Sequence, residues 1–254
     1  VLAASKLTQP SRLYACFLPW LLSELFEQLP EGGDPDHPVL AFFFDAAPND
    51  DTPPPTVERF KQSIPQFIQW ATLYADPYWP FGDSQYLCLD WESFWWLAGQ
   101  SSIDSGDPTL TKTKEHLKKF AQAARNFRQA LNELGKGDKK FGFYGVAPID
   151  AWSTYMAYPG SDGYIRSVNA HSLPEMAEVV QAVDFLTTTT YLPVNPTEFN
   201  WLHIENTIKL GKQISQGKPL YVFAWPQYAG GIGYMGATDW TRQLNLTRQL
   251  ADGV

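Results

Sequence analysis

The sequence contains little of what marks several common classes of protein. Only two cysteines, Cys16 and Cys88, occur in 254 residues, and each lies in an apolar run, so a disulfide cannot be assumed. The four histidines are scattered without the spacing of metal ligands, and we expect neither a metal site nor another cofactor. No apolar run approaches the ~20 residues that span a bilayer. Residues 1–6 lack a charged-then-apolar signal pattern, so we expect a soluble protein from which any signal peptide has already been removed.

Basic charge is also scarce. The formal net charge of -8 leaves no positive surface for a phosphate backbone or an anionic lipid, which disfavours nucleic-acid and membrane partners. The Gly-x-Ser-x-Gly turn of many serine hydrolases does not occur. Hydrophobic residues make up 44% of the chain, enough for one large core, so residues 1–254 are expected to form one monomeric domain.

Strand-like and helix-like segments alternate along the chain, as in parallel α/β folds. The predicted strands are 13–18, 38–45, 86–92, 140–146, 182–192 and 219–225, and a seventh would begin at Gly253-Val254. The predicted helices are 20–29, 57–74 with an interruption at Pro65, 111–134, 199–215 and 239–250. An aromatic loop is expected between the fourth and fifth strands. The pattern predicts a distorted TIM-like α/β barrel of about seven parallel strands with helices outside, its last strand truncated at the chain end.

The most informative segment is the third predicted strand, which ends in Asp90 and Glu92 and is crowded by Trp91, Trp95 and Trp96. Residues two apart on a strand share a face at about 6–7 Å, so the two carboxyl groups are expected to share one site. Their mutual repulsion and apolar surroundings raise the pKa of at least one, which suits a general acid. Paired carboxyls at a strand end are typical of enzymes that cleave glycosidic bonds, whereas the plainer alternative is a helix cap or a surface ion pair.

Aromatic residues account for 15% of the chain, and many fall at predicted strand ends or in the loops that follow. Flat rings of this kind pack against the C–H faces of sugars, although packing between strands and helices is an equal alternative for any one of them. The segment Gly231–Gly236 matches a dinucleotide-binding fingerprint, but no strand carrying an acid can follow it, so a loop is the better interpretation. The expected substrate-binding residues are Tyr144, Trp95, Trp152, Trp225, Tyr228 and Asp45.

Two strings, Leu89-Asp90-Trp91-Glu92 and Phe141-Gly142-Phe143-Tyr144-Gly145, resemble the hyaluronidase family of glycoside hydrolases. The segments 40–45, 190–193 and 220–228 agree in order. The resemblance implies a distorted seven-stranded barrel that cleaves N-acetylhexosamine glycans with retention, the acetamido oxygen of the sugar acting as the nucleophile. We expect such an enzyme to act outside the cell. It makes Glu92 the general acid/base, Asp90 the group that orients the acetamido, and Tyr191 part of the same subsite.

The sequence departs from the family in two places, and each departure leaves open an alternative function or substrate. The chain reads Ala147-Pro148-Ile149 where the family continues toward a substrate-binding tyrosine, so a non-catalytic glycan-binding barrel is the competing interpretation. Phe94-Trp95-Trp96 occupies the region of a family Arg-Pro pair. With few cations, such a site favours a neutral polysaccharide or oligosaccharide over hyaluronan.

Overall fold

The computed structural model describes residues 39–43, 53–74, 86–90, 107–146, 148–149, 154–224, 226–229 and 233–253. The strands are β1 (Val39–Phe43), β2 (Tyr86–Asp90), β3 (Lys140–Phe143), β4 (Leu186–Thr189) and β5 (Leu220–Phe223). The helices are α1 (Val57–Tyr74), α2 (Thr111–Glu133), α3 (Asp162–His171), α4 (Pro174–Ala182), α5 (Glu198–Ile214) and α6 (Ala237–Leu250), with a 3₁₀ turn at Thr154–Ala157. The first predicted strand and helix, 13–18 and 20–29, lie outside the described residues.

All the strand pairs among the described residues are parallel. β1, β2 and β3 form one sheet in that order, and β4 pairs with β5 in a second. Beyond β5, Gly253 makes a parallel bridge to Tyr221. Short apolar strands separated by helices fit this arrangement, because a parallel connection needs a crossover of a dozen or more residues.

The expected seven-stranded barrel is wrong, because no closed barrel exists among the described residues and the backbone ladder breaks between β3 and β4. At that break, side chains take up groups that a continuous ladder would pair. The Asp184 carboxylate accepts a hydrogen bond from the Phe141 N–H at 2.9 Å, and the Thr187 hydroxyl donates to the Phe143 carbonyl at 2.6 Å. Phe185 also lies directly on Gly142, where an added Cβ would come within 2.6 Å of the Phe185 carbonyl oxygen.

The core begins with the helix α2, whose apolar residues recur at three- and four-residue steps and face the first sheet. Phe127 packs edge-on against Phe141 with ring centroids 4.9 Å apart, and Phe120 packs against Phe143 at 5.2 Å. From α1, Phe60 contacts Phe127 at 5.1 Å. The helix α1 continues through Pro65, so the interruption expected there does not occur.

A second aromatic cluster links the two sheets. The Phe185 ring, just before β4, lies 5.9 Å from the ring of Tyr86 in β2 and 5.3 Å from that of Tyr221 in β5. Tyr86 and Tyr221 also meet edge-on at 6.2 Å. Side-chain packing therefore joins the sheets where the backbone ladder does not.

Two aspartates secure the edge at which the strands begin, which we call the amino edge. Asp184 donates its backbone N–H to the Phe141 carbonyl at 2.8 Å, accepts the Phe141 N–H, and pairs with Arg128 of α2. Asp252 repeats the arrangement on Leu220: its N–H donates to the Leu220 carbonyl at 2.9 Å and its carboxylate accepts the Leu220 N–H at 2.7 Å.

The cation beside Asp252 is Lys212 of α5, at 2.7 Å. Lys218 adds a further contact at this edge by donating to the carbonyls of Val180, Gln181 and Val183 at the end of α4. The amino edge is thus built from charged groups that are paired with backbone or with one another.

Candidate functional site

The opposite edge, which we call the carboxyl edge, is where the strands end at Phe43, Asp90, Phe143, Thr189 and Phe223. In open parallel α/β sheets, ligands bind in the crevice outside the carboxyl ends of the strands. Asp90, predicted as part of the acid pair, is the last residue of β2 and is in register with Phe43. The backbone therefore places Asp90 at the edge where this architecture carries its chemistry.

Tyr144 is the best-defined predicted site residue at this edge. Its N–H donates to the Leu89 carbonyl at 2.8 Å, which fixes Tyr144 beside the end of β2 and one residue from Asp90 in the ladder. Its half-buried ring packs edge-on against Phe223 of β5 with centroids 5.1 Å apart. The ends of β2, β3 and β5 are therefore brought together around an aromatic pair.

Tyr191 follows the end of β4 and is half-buried. The preceding residue, Thr190, donates its N–H to the Phe223 carbonyl at 3.0 Å and its hydroxyl to the same oxygen at 3.2 Å. Gln243 of α6 is fully buried, and its side-chain amide donates to the Thr190 carbonyl and hydroxyl, the latter at 2.7 Å. The backbone leading into Tyr191 is thus held from two sides.

Tyr228 lies in the loop after β5, where its phenol is part of the loop's own structure. The hydroxyl donates to the Asp239 carboxylate at 2.9 Å, and the Gly236 N–H donates weakly to it at 3.4 Å. The Ala229 N–H donates to the Leu192 carbonyl at 2.7 Å, which ties this loop to the one carrying Tyr191.

The other predicted site residues, Glu92, Trp95, Trp152, Trp225 and Asp45, lie outside the described residues. Of Asp90, the structure describes the backbone. The expectation that these residues share a site with Tyr144 and Tyr191 therefore stays a prediction. Within the described ranges, no group of three or more His, Cys, Asp or Glu side chains is placed to hold a metal ion.

Sequence reasoning missed His171, which supports the loop that follows β3. This fully buried side chain accepts the Ile149 N–H on Nε2 at 2.8 Å, while its Nδ1 lies 2.6 Å from the Ser167 carbonyl. These two contacts fit a neutral ring with the proton on Nδ1. Burial lowers the pKa of His171 to about 4, and burial likewise lowers the pKa of His203 in α5 to about 4. A lone histidine in a short helix carries no sequence signal for this role.

Comparison with known proteins gives three results. A family model described as the helicase HerA-like C-terminal region matches residues 1–69 of the 254, too small a part to show that the chain belongs to that family. No curated protein matches the sequence. Structures of bee venom hyaluronidase show a weak likeness. One, in complex with a hyaluronic acid tetramer, is 14% identical with a TM-score of 0.45, and a monoclinic crystal form is 13% identical with a TM-score of 0.46.

The likeness to bee venom hyaluronidase covers 91% of this chain and 64% and 66% of the two structures, so the chain spans just under two thirds of their length. The chain thus has a weak structural similarity to a glycosidase, and neither comparison defines a reaction for it.

The expected membership of the hyaluronidase family is wrong, because the family model that does match describes a helicase-like region. The same result overturns the substrate-assisted cleavage of N-acetylhexosamine glycans and the competing degenerate glycan-binding barrel, together with the description as a hyaluronidase-like hydrolase. The Asp-Trp-Glu and Phe-Gly-Phe-Tyr-Gly strings are short, and apolar strands ending in polar residues produce such strings in unrelated α/β proteins.

Among the described helices, none is both long and apolar enough to cross a membrane.

Proposed function

We propose that this chain is an acid–base enzyme whose site lies at the carboxyl edge of its parallel strands, with Asp90 and Glu92 as the proton-transfer groups. The observation that carries the proposal is the ladder register, which ends β2 at Asp90 and sets the Tyr144 backbone directly beside it. The Tyr144–Phe223 ring pair supplies an aromatic wall at the same edge. In this proposal the two carboxyl groups lie against that wall, and apolar surroundings raise the pKa of a carboxyl group toward the range useful for general acid catalysis.

The proposed ligand class is a neutral molecule that carries hydroxyl groups, a class that includes short oligosaccharides. Tyrosine hydroxyls at Tyr144 and Tyr191 can donate to and accept from such groups, and their rings offer contact area at low entropic cost. A net charge of -8 works against a polyanionic ligand. The expectations of a single domain, a monomer and an extracellular location stay predictions.

The experiment is a turnover screen of the purified chain against neutral oligosaccharides and polyol esters, followed by the Glu92→Gln variant on any substrate found. General acid catalysis typically supplies about 10²–10⁴-fold, so turnover should fall by that factor while the melting temperature stays unchanged. The matched control is Glu205→Gln, a half-exposed carboxylate of α5 that pairs with Lys209 and should leave turnover unchanged. Equal turnover in the Glu92→Gln variant and the wild type would remove Glu92 from the mechanism.

A second candidate function is a role beside a nucleic-acid-dependent motor, favoured by the helicase-like match over residues 1–69. The sequence contains no Gly-x-x-x-x-Gly-Lys-Ser/Thr phosphate-binding loop, so the chain itself would not be the part that hydrolyses a nucleotide. Titration with labelled single- and double-stranded DNA at two salt concentrations separates the candidates. Tight binding that weakens steeply with salt would favour the second candidate and contradict the first.

A further inference from the structure

The polar side chains between β4 and α6 include three oxygens that have no partner among the described residues. These are the hydroxyls of Thr188 and Thr247 and the side-chain carbonyl of Gln243. All three side chains are fully buried. Buried polar groups in native proteins are almost always satisfied, by protein or by ordered water.

The direction of α6 determines which of its residues lies opposite Thr188. The helix begins after Met235, whose N–H donates to the Pro226 carbonyl just beyond the end of β5, and it leads to Asp252, whose N–H donates to Leu220 at the start of β5. It therefore runs antiparallel to β5 and to the parallel partner of β5, the strand β4.

Gln243 fixes the register between the helix and the strand, because its amide donates to Thr190. One turn along α6, about 6 Å, leads from Gln243 to Thr247. Thr190 directly follows β4, and Thr188 lies two residues back along the chain, about 6–7 Å away and on the same face of an extended segment. Thr188 and Thr247 therefore lie at the same height along the strand direction, although their hydroxyls make no hydrogen bond to each other.

We propose that the β4–α6 interface binds an ordered internal water that bridges the Thr188 and Thr247 hydroxyls, with the Gln243 side-chain carbonyl as its third partner. Two hydroxyls and one carbonyl supply the two to four polar partners that an internal water needs. The water would lie beneath the Gln243–Thr190 contact that holds the end of β4.

Replacement of each threonine by the isosteric valine tests the proposal, because the two possible states give opposite signs. If the hydroxyls bind water, Thr188→Val and Thr247→Val each lower the melting temperature by about 2–4 °C, a shift typical of a lost hydrogen bond in a chain of this size. If the interface is dry, each substitution removes an unpaired buried hydroxyl and raises the melting temperature. A rise would overturn the proposal.

The double variant adds a second criterion. A shared water makes the two losses non-additive, so Thr188→Val combined with Thr247→Val should lower the melting temperature by clearly less than the sum of the single shifts. The matched control is Thr207→Val on α5, whose hydroxyl donates to the His203 carbonyl at 2.8 Å and whose loss should add to that of Thr247→Val. Additive losses for the threonine pair would contradict a common water.

A high-resolution crystal structure of the wild-type chain keeps the proposal testable if the variants do not fold. We expect density for one water within hydrogen-bonding distance of both threonine hydroxyls. A direct hydrogen bond between the hydroxyls, or an interface without density, would overturn the proposal.

Discussion

The two edges of the parallel strands use polar residues in different ways. At the amino edge, Asp184 and Asp252 each accept the N–H of a neighbouring strand and pair with a cation on the helix that precedes that neighbouring strand. At the carboxyl edge, the described groups are half-buried tyrosines around an aromatic pair, and β2 ends there in Asp90. Acids at the amino edge are therefore committed to holding the fold, whereas the carboxyl edge is where an acid can be kept for chemistry.

This contrast separates stability from function by position along the strand. A substitution at the amino edge should change the free energy of unfolding and leave ligand turnover per folded molecule intact. Substitution of Asp90 at the carboxyl edge should do the reverse.

The largest effect on stability is expected for Asp184→Ala. The substitution removes the acceptor of the Phe141 N–H and the ion-pair partner of Arg128. The side chains of Asp184 and Arg128 are each about three-quarters buried. We expect a loss of about 2–4 kcal/mol in the free energy of unfolding. Chemical denaturation monitored by tryptophan fluorescence measures it. A loss as small as that of a surface substitution would show that the amino edge does not depend on this aspartate.

Lowering the pH should reduce the free energy of unfolding by nearly as much, because His171 holds the loop after β3 on the carboxyl side. Its folded pKa of about 4 lies below the ordinary 6.5, so the unfolded chain binds the proton first as the pH falls. Stability is therefore full above pH 6.5 and decreases toward pH 4, by on the order of 3 kcal/mol from this group.

Equilibrium unfolding of the wild type and the His171→Gln variant across pH 4–7 isolates this contribution. The variant should lose that part of the slope, while the part due to His203 remains. Parallel pH profiles for the two proteins would contradict the neutral, buried state of His171.

The junction between the two sheets gives a smaller effect. In Gly142→Ala, the added Cβ would lie 2.6 Å from the Phe185 carbonyl and 2.7 Å from its ring, so β3 and β4 must move apart. Overpacking of this kind costs about 1–3 kcal/mol. The matched control, Gly236→Ala, meets nothing within 4 Å and should change the melting temperature little. Equal melting temperatures for both variants would show that the sheets are not in close contact at Gly142.

The smallest expected effect is that of Asp252→Ala, which repeats the Asp184 substitution in a more exposed setting. The carboxylate is 41% exposed and its partner Lys212 is 38% exposed, so solvent already screens the pair. We expect about 1 kcal/mol, mainly from the lost Leu220 N–H contact. A loss equal to that of Asp184→Ala would show that the difference in burial does not determine how much each aspartate contributes to stability.

The sequence predicted the local elements well where one face of the element is continuously apolar. The helix expected over 57–74 is α1 to the residue, and the apolar run ending in Asp90 is β2. The segment between β3 and β4 was expected to be a loop, yet it contains α3 and α4. These helices have only 10 and 9 residues, too short for a clear helical period.

Closure of the sheet could not be predicted, because it depends on contacts between distant residues. The segment 182–192 has the composition of a strand, but its first residue ends α4 and the strand itself spans only Leu186–Thr189. Asp184 before the strand and Thr187 within it make the side-chain contacts that replace the ladder. The supports of the site are equally non-local: Gln243 contacts a residue 53 positions away and His171 one 22 positions away. No local pattern marks such pairs.

The most direct test compares the same substitution at the two edges, in Asp90→Asn and Asp184→Asn, by measuring kcat/KM and the melting temperature of both variants. We predict a crossed result: Asp90→Asn lowers kcat/KM by at least about 10²-fold with little change in melting temperature, and Asp184→Asn lowers the melting temperature with kcat/KM retained. A variant pair in which Asp90→Asn retains kcat/KM, or in which Asp184→Asn alone loses it, would contradict the assignment of chemistry to the carboxyl edge.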